Sequence, residues 1–228
     1  MKYRNEWKYY CSDAKMNAID MKLKRILKLD PHSVNGMYTI NSLYFDDFKN
    51  SCARDNEAGE YKRSKWRIRF YGHDPDYVVL EKKMKLFGMC GKKSCVIGRE
   101  IAKKILEGDI SDVFWNSEDE LLKQFCIDIM VKGYRPKIIV SYERRAYLEP
   151  ISNVRITLDR NISGSNEVDR FLDGDYLKVP LLEKGTHLLE VKFDDILPAY
   201  IQQASYIRGL QQTSFSKYYL CRKSVEGK

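Results

Sequence analysis

Lys65-Trp66-Arg67-Ile68-Arg69-Phe70, followed by Leu80-Glu81-Lys82-Lys83-Met84-Lys85, decides how this chain folds. Both stretches alternate charged with less polar residues at a period of two, the period at which strand side chains change face. Lys65, Arg67 and Arg69 therefore share one face, and Glu81, Lys83 and Lys85 share another of the same kind. A sheet face this rich in cations suits a polyanion. Two like charges about 8 Å apart repel by about 2 kcal/mol at an effective dielectric near 20. Several such pairs would rival a total stability of about 5–15 kcal/mol. Enclosed in an interior, such a face has to be wet, partly neutralised by carboxylates, and open to an anion; on an open sheet it would be an ordinary charged surface.

The same alternation recurs along the chain. Residues 3–11 read as a strand with Arg4, Glu6 and Lys8 on one face, and 37–46 as a second strand. Strands over 61–71 and 77–86 are joined through a turn at 72–76, whose Gly, Asp and Pro are turn residues. Arg144 shares a face with Val140 and Tyr142 in a strand over 137–146. Arg155, Thr157 and Asp159 alternate in 154–159, and Glu190 and Lys192 alternate in 187–193. Helices are expected from a Ser12 or Asp13 cap to residue 28, over 99–106, over 118–132 ending at Gly133, and over 199–221 after Pro198. The apolar stripe of the third runs Leu121, Leu122, Phe125, Ile129 and Met130. Residues 55–59 read as a loop and 95–97 as a short strand. One face from each strand collects Lys8, Lys65, Arg67, Arg69, Lys83, Lys85, Arg144, Arg155 and Lys192, with Glu6, Glu81 and Glu190 among them. An antiparallel eight-stranded β-barrel flanked by α-helices, α+β in class, would place these residues inside and their apolar alternates outside. With no linker or repeat in view, one domain over residues 1–228 is expected.

Composition agrees with an anionic partner. The 40 basic and 32 acidic residues leave a net charge of +8, and 16 Tyr with 43% hydrophobic residues argue for a packed core. No apolar run reaches the length of a membrane span, and the N-terminus lacks a signal-peptide core. The six cysteines show no framework spacing and no zinc-site pairs, which is the pattern of thiols in a reducing cytoplasm. No recognition helix or base-stacking motif stands out, so nucleic acid is not an expected partner.

A set of short motifs resembles a known family. Glu6-x-Lys8-Tyr9, Ser42-Leu43-Tyr44-Phe45-Asp46, Lys65-x-Arg67-x-Arg69-x-Tyr71-Gly72, Glu81-x-Lys83, Tyr142-x-Arg144-x-Ala146-Tyr147, Arg155-x-Thr157-Leu158-Asp159, Leu189-Glu190-Val191-Lys192 and Ser216-Lys217-Tyr218 occur in the order seen in the VTC domain. That is the polyphosphate polymerase domain of the vacuolar transporter chaperone, a branch of the CYTH-like triphosphate tunnel metalloenzymes. The resemblance runs from about residue 3 to 222 and implies a metal-dependent polyphosphate polymerase. The tunnel would hold the triphosphate of ATP, with pyrophosphate, phosphate or a growing polyphosphate chain as acceptor. Lys8, Arg67, Arg69, Lys83, Arg144 and Arg155 would grip phosphates, joined by Lys65, Lys85 and Lys192 from the same faces. Glu190 would hold Mn²⁺ or Mg²⁺, and Lys217 would sit at the mouth and position the acceptor. Lys217, Glu190, Arg67 and Arg69 form the expected catalytic set. These residue types suit phosphoryl transfer, which needs placement and charge neutralisation more than covalent help.

Two departures shape the expectation. Hydrolytic tunnel enzymes carry ExExK on the first strand, whereas Arg4 stands at the first position here. This fits a polymerase better than a two-metal inorganic triphosphatase or polyphosphate hydrolase; a non-catalytic polyphosphate- or nucleotide-binding module is the alternative from another class. The chain also lacks the regulatory domain and membrane segments of the eukaryotic polymerases, so export of product would need a separate membrane partner. Gly88-Met89-Cys90-Gly91-Lys92-Lys93-Ser94 looks like a phosphate-binding loop, but Leu86 and Lys93 break that pattern. It reads instead as a basic loop at the tunnel mouth. Glu81 reads as an ion-pair partner of tunnel cations, Asp159 as a surface pair at its strand's end, Tyr71 and Tyr218 as packing residues, and His187 as a surface residue.

Overall fold

In the computed structural model, which describes residues 2–33, 35–206 and 209–226, the alternating segments are strands with the expected faces. They are β1 (Asn5–Ser12), β2 (Lys28–Leu29), β3 (Tyr38–Asp46), β4 (Lys62–Tyr71), β5 (Asp74–Leu86), β6 (Met89–Val96), β7 (Arg135–Glu149), β8 (Val154–Ser165), β9 (Val179–Pro180) and β10 (Thr186–Phe193). All pairings are antiparallel, in the order β1-β10-β8-β7-β3-β4-β5-β6, with β2 added to β7 and β9 to β8. The outer alternates of β4, Trp66, Ile68 and Phe70, are at most 1% exposed, while Lys65, Arg67 and Arg69 face inward. Each of those apolar side chains contributes about 1.5–3 kcal/mol by leaving water. The wall is thus held from outside, and the inside is left to charge.

The eight long strands wrap into a tunnel without a continuous closing ladder. Edges β1 and β6 meet at one bridge, where the Arg4 N–H donates to the Cys90 carbonyl at 3.0 Å and the Cys90 N–H returns the bond at 2.9 Å. The expected closed barrel is corrected in that respect. The cause lies further along β1, where the Thr213 N–H donates to the Lys8 carbonyl at 2.8 Å and Tyr9 bridges Gln212. The segment at 212–213 occupies the edge that β6 would need.

Helices cover the outside. Ser12 caps α1 (Asp13–Ile26) by accepting the Lys15 N–H, and Met16, Ile19 and Leu23 pack on Leu189 and Val191 of β10. On the opposite wall lie α3 (Gly98–Glu107), α4 (Ile110–Trp115) and α5 (Glu120–Lys132), the last ending at Gly133 with φ +67°. Its buried face runs Leu122, Phe125 and Cys126; Met130, expected in the stripe, is half exposed. The expected loop at 55–59 partly falls in a helix, α2 (Ser51–Glu57). Its Asn50 makes no side-chain cap; instead the buried Asp46 carboxylate accepts the N–H groups of Cys52 and Ala53 at 2.9 and 3.2 Å. The turn after β4 is only Gly72-His73, so Asp74–Asp76 belongs to β5. The expected basic loop at 88–94 is largely strand β6, which also takes in Cys95 and Val96 of the short strand placed at 95–97, while Ile97 precedes α3.

The helix expected over 199–221 is two helices, α6 (Ala199–Ala204) and α7 (Lys217–Glu226), with non-helical chain at 211–216 between them; residues 207 and 208 lie outside the described ones. Asp46 also anchors α7, accepting from the Tyr218 hydroxyl at 2.5 Å with Arg222 at 3.6 Å. Gly164 of β8 makes the seat: a Cβ there would stand 2.1 Å from Cys221 Sγ. Lys217, the first residue of α7, is thereby aimed into the tunnel. The six cysteines are thiols, and among the described residues no helix is long and apolar enough to cross a membrane.

Candidate functional site

The inner faces enclose a cavity of about 920 Å³. It brings together every cation singled out from the sequence: Lys8, Lys65, Arg67, Arg69, Lys83, Lys85, Arg144, Arg155, Lys192 and Lys217, with Glu190 beside them. Lys92 of β6 joins this set because it pairs in register with Lys83 and so faces inward. Its neighbour Lys93 points to the other face. The sequence could not decide between them while the segment read as a loop.

Two carboxylates sit between the lysines of β1, β5 and β10. Glu6 receives Lys83 and Lys8, each at 2.9 Å, and Lys192 at 3.6 Å. Glu190 receives Lys192 at 2.7 Å and Lys8 at 3.9 Å. Burial alone would raise both carboxyls, but Lys8, Lys83 and Lys192 around Glu6, and Lys192, Lys8 and Lys217 around Glu190, hold them well below the usual carboxylate range. Both are therefore anions at neutral pH. Thr157 stands opposite Glu190 in the β8–β10 register; its hydroxyl is buried and has no hydrogen-bond partner among the described residues. An unpartnered buried hydroxyl beside a carboxylate is a seat for a water or a ligand oxygen.

Further round the wall, Glu81 is fully buried and takes Arg67 and Lys92 at 2.5 Å each, with Arg69 at 3.6 Å. It is the ion-pair partner the sequence indicated. Asp159 is no surface pair: it is fully buried, holds Arg144 through two hydrogen bonds of 2.6 and 2.7 Å, and takes Lys217 at 2.7 Å. Lys217 is itself buried rather than exposed at a rim. Arg155 is shared with Asp30 at 2.6 Å and the Tyr38 hydroxyl at 2.9 Å. Tyr218 packs on Tyr44 as read, with centroids 5.2 Å apart, and Tyr71 lines the cavity against Tyr38. His187 is buried against Asp13 at 2.7 Å, correcting its reading as a surface residue. The cations outnumber these carboxylates, so the lining keeps a positive surplus.

That surplus concentrates toward one end. Lys65 donates to the Ser216 hydroxyl at 3.3 Å and lies over the Tyr218 and Tyr44 rings, and Arg63 donates to the Glu60 carbonyl at 2.8 Å; neither they nor Lys85 pairs with a carboxylate among the described residues. Burial, reinforced by Lys83, Lys8 and Arg67, lowers the Lys65 ammonium to about 8. Burial would raise the Tyr44 phenol, but Arg67, Lys65 and Arg69 bring it down to about 7. As pH rises from 6.5 to 9, Lys65 loses its charge and Tyr44 gains a negative one, so anion binding weakens. A bound anion favours the protonated form of both groups, and binding takes up protons in that window. Calorimetric titration with long-chain polyphosphate, whose internal groups stay ionised, should show falling affinity across this range. Tyr44→Phe should remove the phenolate's share of the fall and leave the share of Lys65, and a flat wild-type profile would contradict the account.

The family model of the VTC domain matches residues 3–226. The chain belongs to the VTC domain family. Its fold is shared with an adenylyl cyclase candidate of Hippeastrum described as having a dominant triphosphatase activity, at 12% identity and TM-score 0.60 over 99% of this chain and 97% of that one. It is also shared with an adenylate cyclase candidate of Bacillus halodurans, at 13% identity and TM-score 0.55 over 94% of each. No curated protein sequence matches significantly. In VTC domain terms, the tunnel-type fold expected from the sequence is the fold observed, an α+β arrangement of antiparallel strands with flanking helices.

A divalent metal can be tested against this VTC domain's own donors. Among the described residues no three His, Cys, Asp or Glu side chains form a cage. Mg²⁺ and Mn²⁺ do not require one: they bind through one or two carboxylates and complete their shell with waters and substrate phosphates. Glu190, Glu6 and the unpartnered Thr157 hydroxyl fit that pattern.

Proposed function

We propose that this tunnel binds the triphosphate of ATP and transfers the γ-phosphoryl group to a phosphate or polyphosphate acceptor, acting as a polyphosphate polymerase. The observation that carries this reading is the cation-rich inner face with Glu190 and Glu6 set into it. A lining with a positive surplus drawn from seven strands suits a polyanion, and the two buried carboxylates give a hard metal a place beside it. Membership in the VTC domain family supports the same substrate class.

The roles follow from the contacts. Arg67, Arg69 and Arg144 are fixed in orientation by Glu81, Ser42 and Asp159, so their guanidinium forks meet phosphate oxygens with little entropy left to lose. Lys8 and Lys192 are shared between Glu6 and Glu190 while Lys83 pairs with Glu6, and all three can exchange part of that contact for phosphate as the chain advances. Lys217, held by Asp159, supplies charge for the acceptor. Mn²⁺ or Mg²⁺ held by Glu190, with Glu6 adjacent, would neutralise charge on the transferring phosphoryl group. Arg4 favours synthesis over hydrolysis: its backbone closes the sheet at Cys90 and its side chain binds Asp194 at 2.9 Å, which leaves no carboxylate for a second metal there. We place the activity in the cytoplasm.

Incubation with ATP and Mn²⁺, with products resolved by gel, tests the proposal. A ladder of polyphosphate is the expected product. Orthophosphate and short phosphates alone would assign hydrolysis, and polyphosphate binding without turnover would leave a binding module.

A further inference from the structure

The inward alternation of β4 and β5 continues past the last cation. Along β4 the series Arg69, Arg67, Lys65, Arg63 leads to Tyr61, and along β5 Glu81, Lys83, Lys85 leads to Phe87. The two rings meet at the end of the ladder, stacked with centroids 5.0 Å apart and planes 14° from parallel, and the Phe87 N–H donates to the Tyr61 carbonyl at 3.0 Å. Phe87 is 71% exposed and Tyr61 59%, although Phe87 lines the cavity. Phe87 and Gly88 form a two-residue hairpin turn with φ of +46° and +85°. Asn or Asp is the ordinary first residue of such a turn, and a bulky aromatic there is uncommon. The ring is therefore held at the tunnel mouth against its local backbone preference.

The inward cations next in register to the pair are Arg63 and Lys85, followed by Lys65, and none of the three has a carboxylate partner among the described residues. Alternate strand residues are about 6.7 Å apart, so Lys65 to Tyr61 and Lys83 to Phe87 each span about 13 Å. A triphosphate held between Lys65 and Lys83 would carry its nucleoside outward along that distance.

We propose that Phe87 and Tyr61 form a nucleobase platform, on which the base of a nucleoside triphosphate stacks while its phosphates lie along the mouth cations. The proposal rests on the reading of the tunnel as an ATP site and adds the place where the base is held, the stacked pair at the end of the β4–β5 ladder. Stacking is tolerant because every base has a π face, so ATP and GTP should bind alike.

Calorimetric titration of the full chain in metal-free buffer, where turnover is suppressed, compares ATP with inorganic tripolyphosphate. Phe87→Asn suits the turn and should keep or raise the melting temperature. It should weaken ATP binding by about 5- to 160-fold, the range for loss of one base–aromatic stack, and leave tripolyphosphate affinity unchanged. Tyr61→Ala should give the same selective loss. ATP affinity unchanged in both variants, or equal losses for both ligands, would overturn the platform. A wild-type chain that binds neither ligand would remove the tunnel reading itself.

Discussion

Glu81→Gln is expected to lower stability by about 3–5 kcal/mol, the range for removing one partner of a buried ion pair. Gln keeps the volume of the side chain, so the loss reports charge. Burial would raise the Glu81 carboxyl, but Arg67, Arg69 and Lys92 hold it well below the usual range. For a lowered carboxyl the stabilisation is present above its unfolded pKa and is lost only as pH falls through the folded one, so the full effect is read at pH 7. The Lys92 contact is discounted, since that side chain is 47% exposed. The cost comes from Arg67 and Arg69, left in the wall without a carboxylate. At about 2–4 °C per kcal/mol for a chain of this size, the melting temperature should fall by about 6–20 °C. Tripolyphosphate should restore part of the difference, because a bound anion supplies the missing charge. A shift under about 2 °C would mean that Arg67 and Arg69 do not depend on this carboxylate.

Glu190→Gln separates binding from chemistry. The carboxylate holds Lys192 and faces Lys8, and its loss frees both for phosphate. Metal-free affinity for polyphosphate should therefore stay the same or rise, because one negative charge leaves a tunnel that binds anions. Turnover with ATP and Mn²⁺ should drop by about 100-fold or more, the scale on which removal of one group stabilising transition-state charge is felt. Single-turnover rates and equilibrium binding measured on the same preparation check both halves. Parallel losses of binding and rate would assign Glu190 to the structure of the wall, and an unchanged rate would remove it from the chemistry.

Period-two alternation carried most of the fold. In Lys65-Trp66-Arg67-Ile68-Arg69-Phe70 it separates the cationic lining from the buried wall, and the same reading places Arg144, Arg155, Glu190 and Lys192 on the cavity. Alternation assigns a face, however, and not a cross-strand partner. That is why Asp159 read as a surface residue although it lies beneath Arg144 and Lys217, and why Asp30 did not read as the partner of Arg155. Asp46 shows the same limit at longer range. Its carboxylate caps α2, whose own Asn50 does not, and it anchors α7, two contacts that local capping rules do not register. The hairpin at Phe87 hid strand β6 because an aromatic stands where turn chemistry calls for Asn or Asp, and with the strand went the inward placement of Lys92. The insertion of 212–213 along β1, which leaves the sheet closed by one bridge, has no local signature.

The most direct test of the tunnel as a linear-phosphate site is a crystal structure with inorganic tripolyphosphate and Mn²⁺. The phosphates are expected in line inside the tunnel, among Lys65, Lys83, Arg67 and Arg144, with an anomalous manganese peak at the Glu190 carboxylate. Phosphate bound only on the outer surface, with the Glu81, Asp159 and Glu190 ion pairs undisturbed and no manganese at Glu190, would contradict the account.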